Sequence, residues 1–151
     1  MAPTAPERLS VVIDRELAYP PEKIWRMLTE PQLIEQWLMK NDFRPLAGHH
    51  FKLSADWGTV DCKVGAIDAK KTLSYTWNAF GLESVVTWTL SPTGSGTQLR
   101  LEHSGFSADQ PQYYEGAKGG WQRFLAGLER ALAKEDSAPA EDGDNPSKSD
   151  G

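Results

Sequence analysis

His103, Tyr75 and Asp61 are the side chains best suited to move a proton, and Cys62 is the single thiol. An imidazole titrates near neutral pH, so it serves as acid or base without much tuning. A phenol or carboxylate needs a neighbour that shifts it. His103 alternates with Leu99 and Leu101 and stands beside Ser104-Gly105-Phe106, so it is expected to point inward. There it is either a hydrogen-bonded structural histidine or an acid–base group, and the spacing supplies no partner carboxylate. Asp61 falls out of phase with the apolar residues around it. Cys62 alternates with Val60 and Val64 and reads as a small buried apolar residue, because a thiolate role needs a nearby cation. His49 and His50 are adjacent on a predicted strand, so they face opposite ways and cannot chelate one metal together. There is no GxSxG, no phosphate loop and no dinucleotide fingerprint. No metal, cofactor or catalytic set is expected.

The aromatic residues point to binding. Tyr75 and Trp77 come from the middle of a predicted sheet, and Trp121 faces it from a predicted helix. Tyrosine and tryptophan add a polar tip to an apolar wall, the mix that small-molecule pockets use. The candidate ligand-binding set is Phe51, Val64, Tyr75, Trp77, His103, Phe106, Gly120 and Trp121. Gly119-Gly120 interrupts a helical pattern, at about 1 kcal/mol per glycine against alanine. The pair permits either a close contact between helix and sheet or the mouth of a ligand site.

These residues need elements to position them. Leu9, Val11, Ile13 and Leu17 alternate with Ser10, Asp14 and Glu16, the period of a strand with one buried face. Pro20-Pro21 ends that strand and suits the first turn of a helix. Ile24, Trp25 and Leu28 share a helical face; Pro31 restarts the chain, and Leu33, Ile34, Trp37 and Leu38 form a second stripe. Asn41 to Gly48 reads as a connection. Strands are expected at 49–55, 59–67, 72–79, 82–90 and 97–103, with turns at Asp56-Trp57-Gly58, 68–71, Phe80-Gly81 and 91–96. Their inward sets are Phe51, Leu53 and Ala55; Val60, Cys62, Val64 and Ala66; Leu73, Tyr75 and Trp77; Leu82, Ser84, Val86, Trp88 and Leu90; and Leu99, Leu101 and His103. Tyr114, Ala117, Trp121, Phe124 or Leu125, Leu128 and Leu132 recur at helical spacing. The expected fold is α+β: a curved antiparallel sheet of six or seven strands wrapped around a long C-terminal helix, with two short helices after the first strand.

A chain of 151 residues suits one folded domain, here 8–134, with a flexible stretch at 1–7. Residues 135–151 have no large apolar side chain and are expected to be a disordered acidic tail. The net charge of −5 lies in that tail, which holds six acids and one base; the remainder has fifteen of each sign. No basic excess is left to draw in nucleic acid. No apolar run approaches the roughly 20 residues of a membrane span, and no secretory signal is visible. A cytoplasmic protein, monomeric or weakly dimeric, is expected.

Several segments carry a family resemblance: Tyr19-Pro20-Pro21-Glu22-Lys23-Ile24-Trp25, Pro31 to Trp37, Gly48, Val86-Thr87-Trp88-Thr89-Leu90, Gly96-Thr97 before Leu99, His103-Ser104-Gly105-Phe106 and Gly119-Gly120-Trp121. With them, residues 8–134 resemble the START-like superfamily (SRPBCC, Bet v 1-like), whose fold is called helix-grip. The similar branch is named after the C-terminal domain of the activator of the Hsp-90 chaperone's ATPase. The superfamily includes lipid carriers, polyketide cyclases and chaperone regulators. The eukaryotic co-chaperone looks like a two-domain protein, and this chain has no room for the separate N-terminal domain. The expected function is a non-enzymatic binding protein with an internal apolar pocket for a small hydrophobic ligand, lipid-like or aromatic. The alternative is a chaperone or stress-response regulator acting by protein contact. A cyclase-type enzyme using His103, Tyr75 or Asp61 is a third reading.

Overall fold

Alternation carries the chain into the sheet, and proline takes it out. The computed structural model describes residues 8–56, 58–79, 82–107 and 111–137. The expected ends at 1–7 and beyond Ser137, and the turn residues Trp57 and Phe80-Gly81, lie outside them. Strand β1 spans Arg8–Leu17 and buries Val11, Ile13 and Leu17. Helix α1 (Pro21–Thr29) follows, with Pro20 as its extended N-cap and Pro21 in its first turn. Glu30 closes α1 through a 2.9 Å bond from its N–H to the Arg26 carbonyl, and also caps α2 (Pro31–Trp37). Trp37 ties the two helices together, donating from Nε1 to the Met27 carbonyl at 2.8 Å. Trp25, expected on the apolar face, is only half-buried; Met27 takes the buried position instead.

The rest of the sheet is β2 (Lys40–Asn41), β3 (His50–Ala55), β4 (Gly58–Asp68), β5 (Thr72–Ala79), β6 (Leu82–Pro92) and β7 (Thr97–Ser107). All pairings are antiparallel, in the order β1-β7-β6-β5-β4-β3-β2. The first strand therefore pairs with the last. Helix α3 (Pro111–Ser137) closes over the concave face and buries Trp121, Leu125, Leu128 and Leu132 there. It runs three residues past Lys134, the expected domain boundary.

Three differences from the sequence reading have physical causes. The connection at 41–48 begins inside a short strand, because Lys40 and Asn41 pair with Ser54 and Leu53. It also buries Phe43 against Phe51 and Tyr75. In β4 the inward set breaks after Val64: a register shift against β5 exposes Ala66 and turns Ile67 partly inward. In β7 a second irregularity places Gly105 as an extra residue between Ser104, opposite Ser10, and Phe106, opposite Leu9. Gly105 has φ +107, which glycine adopts readily. The extra residue is why His103 and Phe106, three apart, are both buried.

Candidate functional site

The sheet end formed by Trp77 on β5, Ser84 on β6 and His103 on β7 faces Trp121 on α3. Hydrogen bonds connect all four. The Trp121 indole Nε1–H donates to His103 Nδ1 at 2.8 Å. Ser84 Oγ lies 2.8 Å from His103 Nε2 and donates to the Trp77 carbonyl at 2.7 Å. An indole N–H only donates and a carbonyl only accepts, so the direction of the chain is determined. Nδ1 is an acceptor, and Nε2 carries the proton and donates to Ser84. Burial lowers the pKa of His103 to about 4, so the ring is neutral at physiological pH.

That arrangement defines what the Ser84–His103 pair can do. Activating a serine hydroxyl requires a free lone pair on the nitrogen that faces it. Here that nitrogen bears the proton, and the hydroxyl hydrogen is committed to a backbone carbonyl. The pair joins three strands to the helix. Tyr75, a second expected proton carrier, accepts a bond from Trp88 Nε1 at 3.0 Å, and burial holds its phenol well above its usual range. Cys62 is pushed up to about 12 by burial, then by Asp61 and Asp42, which makes it a poor nucleophile. Asp61 is exposed beside Lys52. His50 is exposed, while His49 bonds the Asp42 carbonyl through Nε2 at 3.1 Å. Among the described residues, no three His, Cys, Asp or Glu side chains are grouped to hold a metal.

Beside the network, α3 and the sheet end leave an open groove of about 240 Å³, lined by Trp77, His103, Gly116, Ala117, Gly120, Trp121, Arg123 and Phe124. Trp77 and Trp121 have ring centroids 5.2 Å apart, and Phe124 packs on Trp121 at 5.5 Å. Of the eight expected ligand-binding residues, Trp77, His103, Gly120 and Trp121 meet here. Phe106 is buried behind them, with its ring 4.6 Å from that of His103. Tyr75 and Val64 lie in the hydrophobic core, as does the ring of Phe51, 5.3 Å from Tyr75. Phe51 also borders a separate recess of about 270 Å³ with Asp42, His50, Lys52, Asp61 and Cys62.

The glycine pair does not make a close contact with the sheet. Outside the helix's own backbone and the glycines' chain neighbours, a Cβ at Gly119 would approach only Arg123 Nη1, at 3.7 Å, and one at Gly120 only Arg123 Nη2, at 4.0 Å. The close backbone approach occurs further along α3, where a Cβ on Gly127 would stand 3.5 Å from the Trp37 carbonyl oxygen. Sequence reasoning missed Ser84 and Arg123 as site residues. Ser84 was visible as a small polar residue in an apolar inward set. Arg123 follows Gly119 and Gly120 by four and three positions, so it shares their helix face.

A curved antiparallel sheet gripping one long helix, with a helix pair after the first strand, is the helix-grip fold of the START-like superfamily. The chain matches the family model described as Activator of Hsp90 ATPase homolog 1-like protein over residues 18–133, and it belongs to that family. It is similar to the crystal structure of protein MLL2253 from Mesorhizobium loti, with 55% identity, a TM-score of 0.81, and coverage of 83% of this chain and 98% of that one. Protein BH1534 from Bacillus halodurans is 26% identical over 83% of this chain and 98% of that one, with a TM-score of 0.73. CalU16 from Micromonospora echinospora shares the fold at 24% identity, with a TM-score of 0.73 and coverage of 88% and 89%. No curated protein matches the chain. Among the described residues, no helix is long and apolar enough to cross a membrane.

Proposed function

We propose that this protein is a non-enzymatic, cytoplasmic binding protein for a small hydrophobic molecule, held in the groove between α3 and the Trp77–His103 end of the sheet. The observation that carries this reading is an aromatic-walled groove lined by Gly116 and Gly120, where an added Cβ would meet at most Arg123 among the described residues. Trp88, Tyr75 and Phe51, from the expected concave face, are buried in the core beside it. Pockets for drug-sized ligands run to about 300–1,000 Å³, so a groove of about 240 Å³ suits a smaller body, of one or two rings. The protonation of the Ser84–His103 pair weighs against a cyclase-type enzyme. Native mass spectrometry, with NMR titration of the indole N–H signals against small aromatic and lipid-like compounds, tests the reading. It is abandoned if no compound shifts the Trp121 or Trp77 signals.

Family membership supports a second reading, contact with a chaperone of the Hsp90 class. An unchanged chaperone ATPase rate with this protein in excess would remove it.

A further inference from the structure

We infer that the groove selects a small carboxylate, an apolar body of one or two rings carrying one negative charge, with Arg123 as the anion-binding residue. This rests on the binding reading above and specifies its ligand. Arg123 lines the groove, and its two guanidinium nitrogens lie over the positions where side chains at Gly119 and Gly120 would begin. It makes no hydrogen bond or ion pair with any described residue. Three other arginines are held in ion pairs: Arg15 with Glu129, Arg26 with Glu30 and Arg100 with Asp14. The other residues that line the groove are uncharged. His103 is neutral, its Nδ1 is occupied by Trp121, and Trp77, Trp121 and Phe124 present ring surface. The groove thus offers an apolar floor with one cation at its rim. A guanidinium presents paired N–H groups that match a carboxylate bidentately, which favours that head group over a neutral one.

The test compares two probes of the same shape, 2-naphthoate and 2-naphthamide, by NMR titration of the Trp121 and Trp77 indole signals. Wild type, Arg123→Gln and Arg123→Lys are measured at pH 7.5 and low salt. A hydrogen bond to a charged group is worth about 10- to 100-fold in affinity. The expected result, read as the ratio of the two probes' affinities within each variant, is a preference of that size for the carboxylate in wild type, its loss in Arg123→Gln and partial retention in Arg123→Lys. Equal binding of both probes to wild type, or a preference that survives Arg123→Gln, overturns the role of Arg123 and leaves the groove as a binding site. Failure of both probes to bind wild type overturns the groove reading and the inference together.

Discussion

The indole Nε1–H of Trp121 donates to Nδ1 of His103 at 2.8 Å, and this bond between helix and sheet sets the protonation state of the ring. Protonating Nδ1 would turn an acceptor into a donor that faces another donor. Docking of α3 on the sheet is therefore coupled to a neutral His103.

Acid should weaken the fold through this residue. The pKa of His103 is lowered to about 4 in the folded protein against 6.5 in the unfolded chain, so the unfolded state binds more protons between those values. Its contribution is complete above about pH 6.5 and falls away as pH drops toward 4, by roughly 3 kcal/mol in all. Urea unfolding from pH 7.5 to 4.5 measures this. In His103→Gln the slope between pH 6.5 and 4.5 should flatten, and an unchanged slope would assign the acid sensitivity to other groups.

Trp121→Phe leaves Nδ1 of a buried histidine without a donor. Such a group costs about 1–3 kcal/mol, before the lost ring volume is counted. Ser84→Ala removes the acceptor at the other nitrogen, so the two changes act on one ring. A double-mutant cycle should give a coupling of about 0.5–3 kcal/mol, and strict additivity would show that the chain of bonds is not cooperative.

Gly119→Ala and Gly120→Ala should each raise stability by up to about 1 kcal/mol, because alanine is the better helix former and nothing but Arg123 stands nearby. Gly120 also lines the groove, so Gly120→Ala narrows it and should weaken ligand binding. Thermal melts and the NMR titration read the two effects separately. Destabilisation by Gly120→Ala would mean that the glycine serves packing after all.

Gly96 and Gly94 lie in the same loop but should respond oppositely. A Cβ on Gly96 would run into the carbonyl oxygen of Leu17, where the β6–β7 loop sits on the end of β1. A Cβ on Gly94 meets nothing within 4 Å. Gly96→Ala is expected to cost at least ~2 kcal/mol, and Gly94→Ala to stay within about 0.5 kcal/mol. Denaturant midpoints of the two variants decide it.

Cys62 should resist alkylation. With its thiol pushed up to about 12, the thiolate fraction at pH 8 falls about 1,000-fold below that of an unperturbed cysteine. Iodoacetamide labelling should be slow in the native protein and rapid in urea. Native labelling at the unfolded rate would show that Cys62 is accessible.

Most of the fold was legible because the sheet alternates and the helices repeat, and both periods are local. Pro20-Pro21 and Pro31 mark their helix starts to the residue. What escaped depended on pairing. The exposed Ala66 and the inward Ile67 follow from a register shift that only the partner strand reveals, and Phe106 turns inward because Gly105 is an extra residue. The site was half legible for the same reason. Trp77, Trp121, His103 and Gly120 carry signals of their own type and position, but Ser84 matters only through its neighbours. Tyr75, Phe51 and Val64 are buried in the core, and a packed core and a pocket wall use the same side chains. Gly119-Gly120 left two readings open, and the space around the pair removes the close helix–sheet contact.

The pairing of β1 with β7 also bears on synthesis. Leu17 faces Thr97 and Arg8 faces Ser107, so the first strand made is among the last to find its neighbour. At about 5–20 residues per second, the interval on the ribosome is roughly 5–20 s. Throughout it, β1 exposes an unpaired hydrogen-bonding edge and an apolar row to whatever is nearby. The vulnerable period of this protein is therefore governed by translation speed, and variants that leave the folded state unchanged can still alter yield by slowing the ribosome before β7.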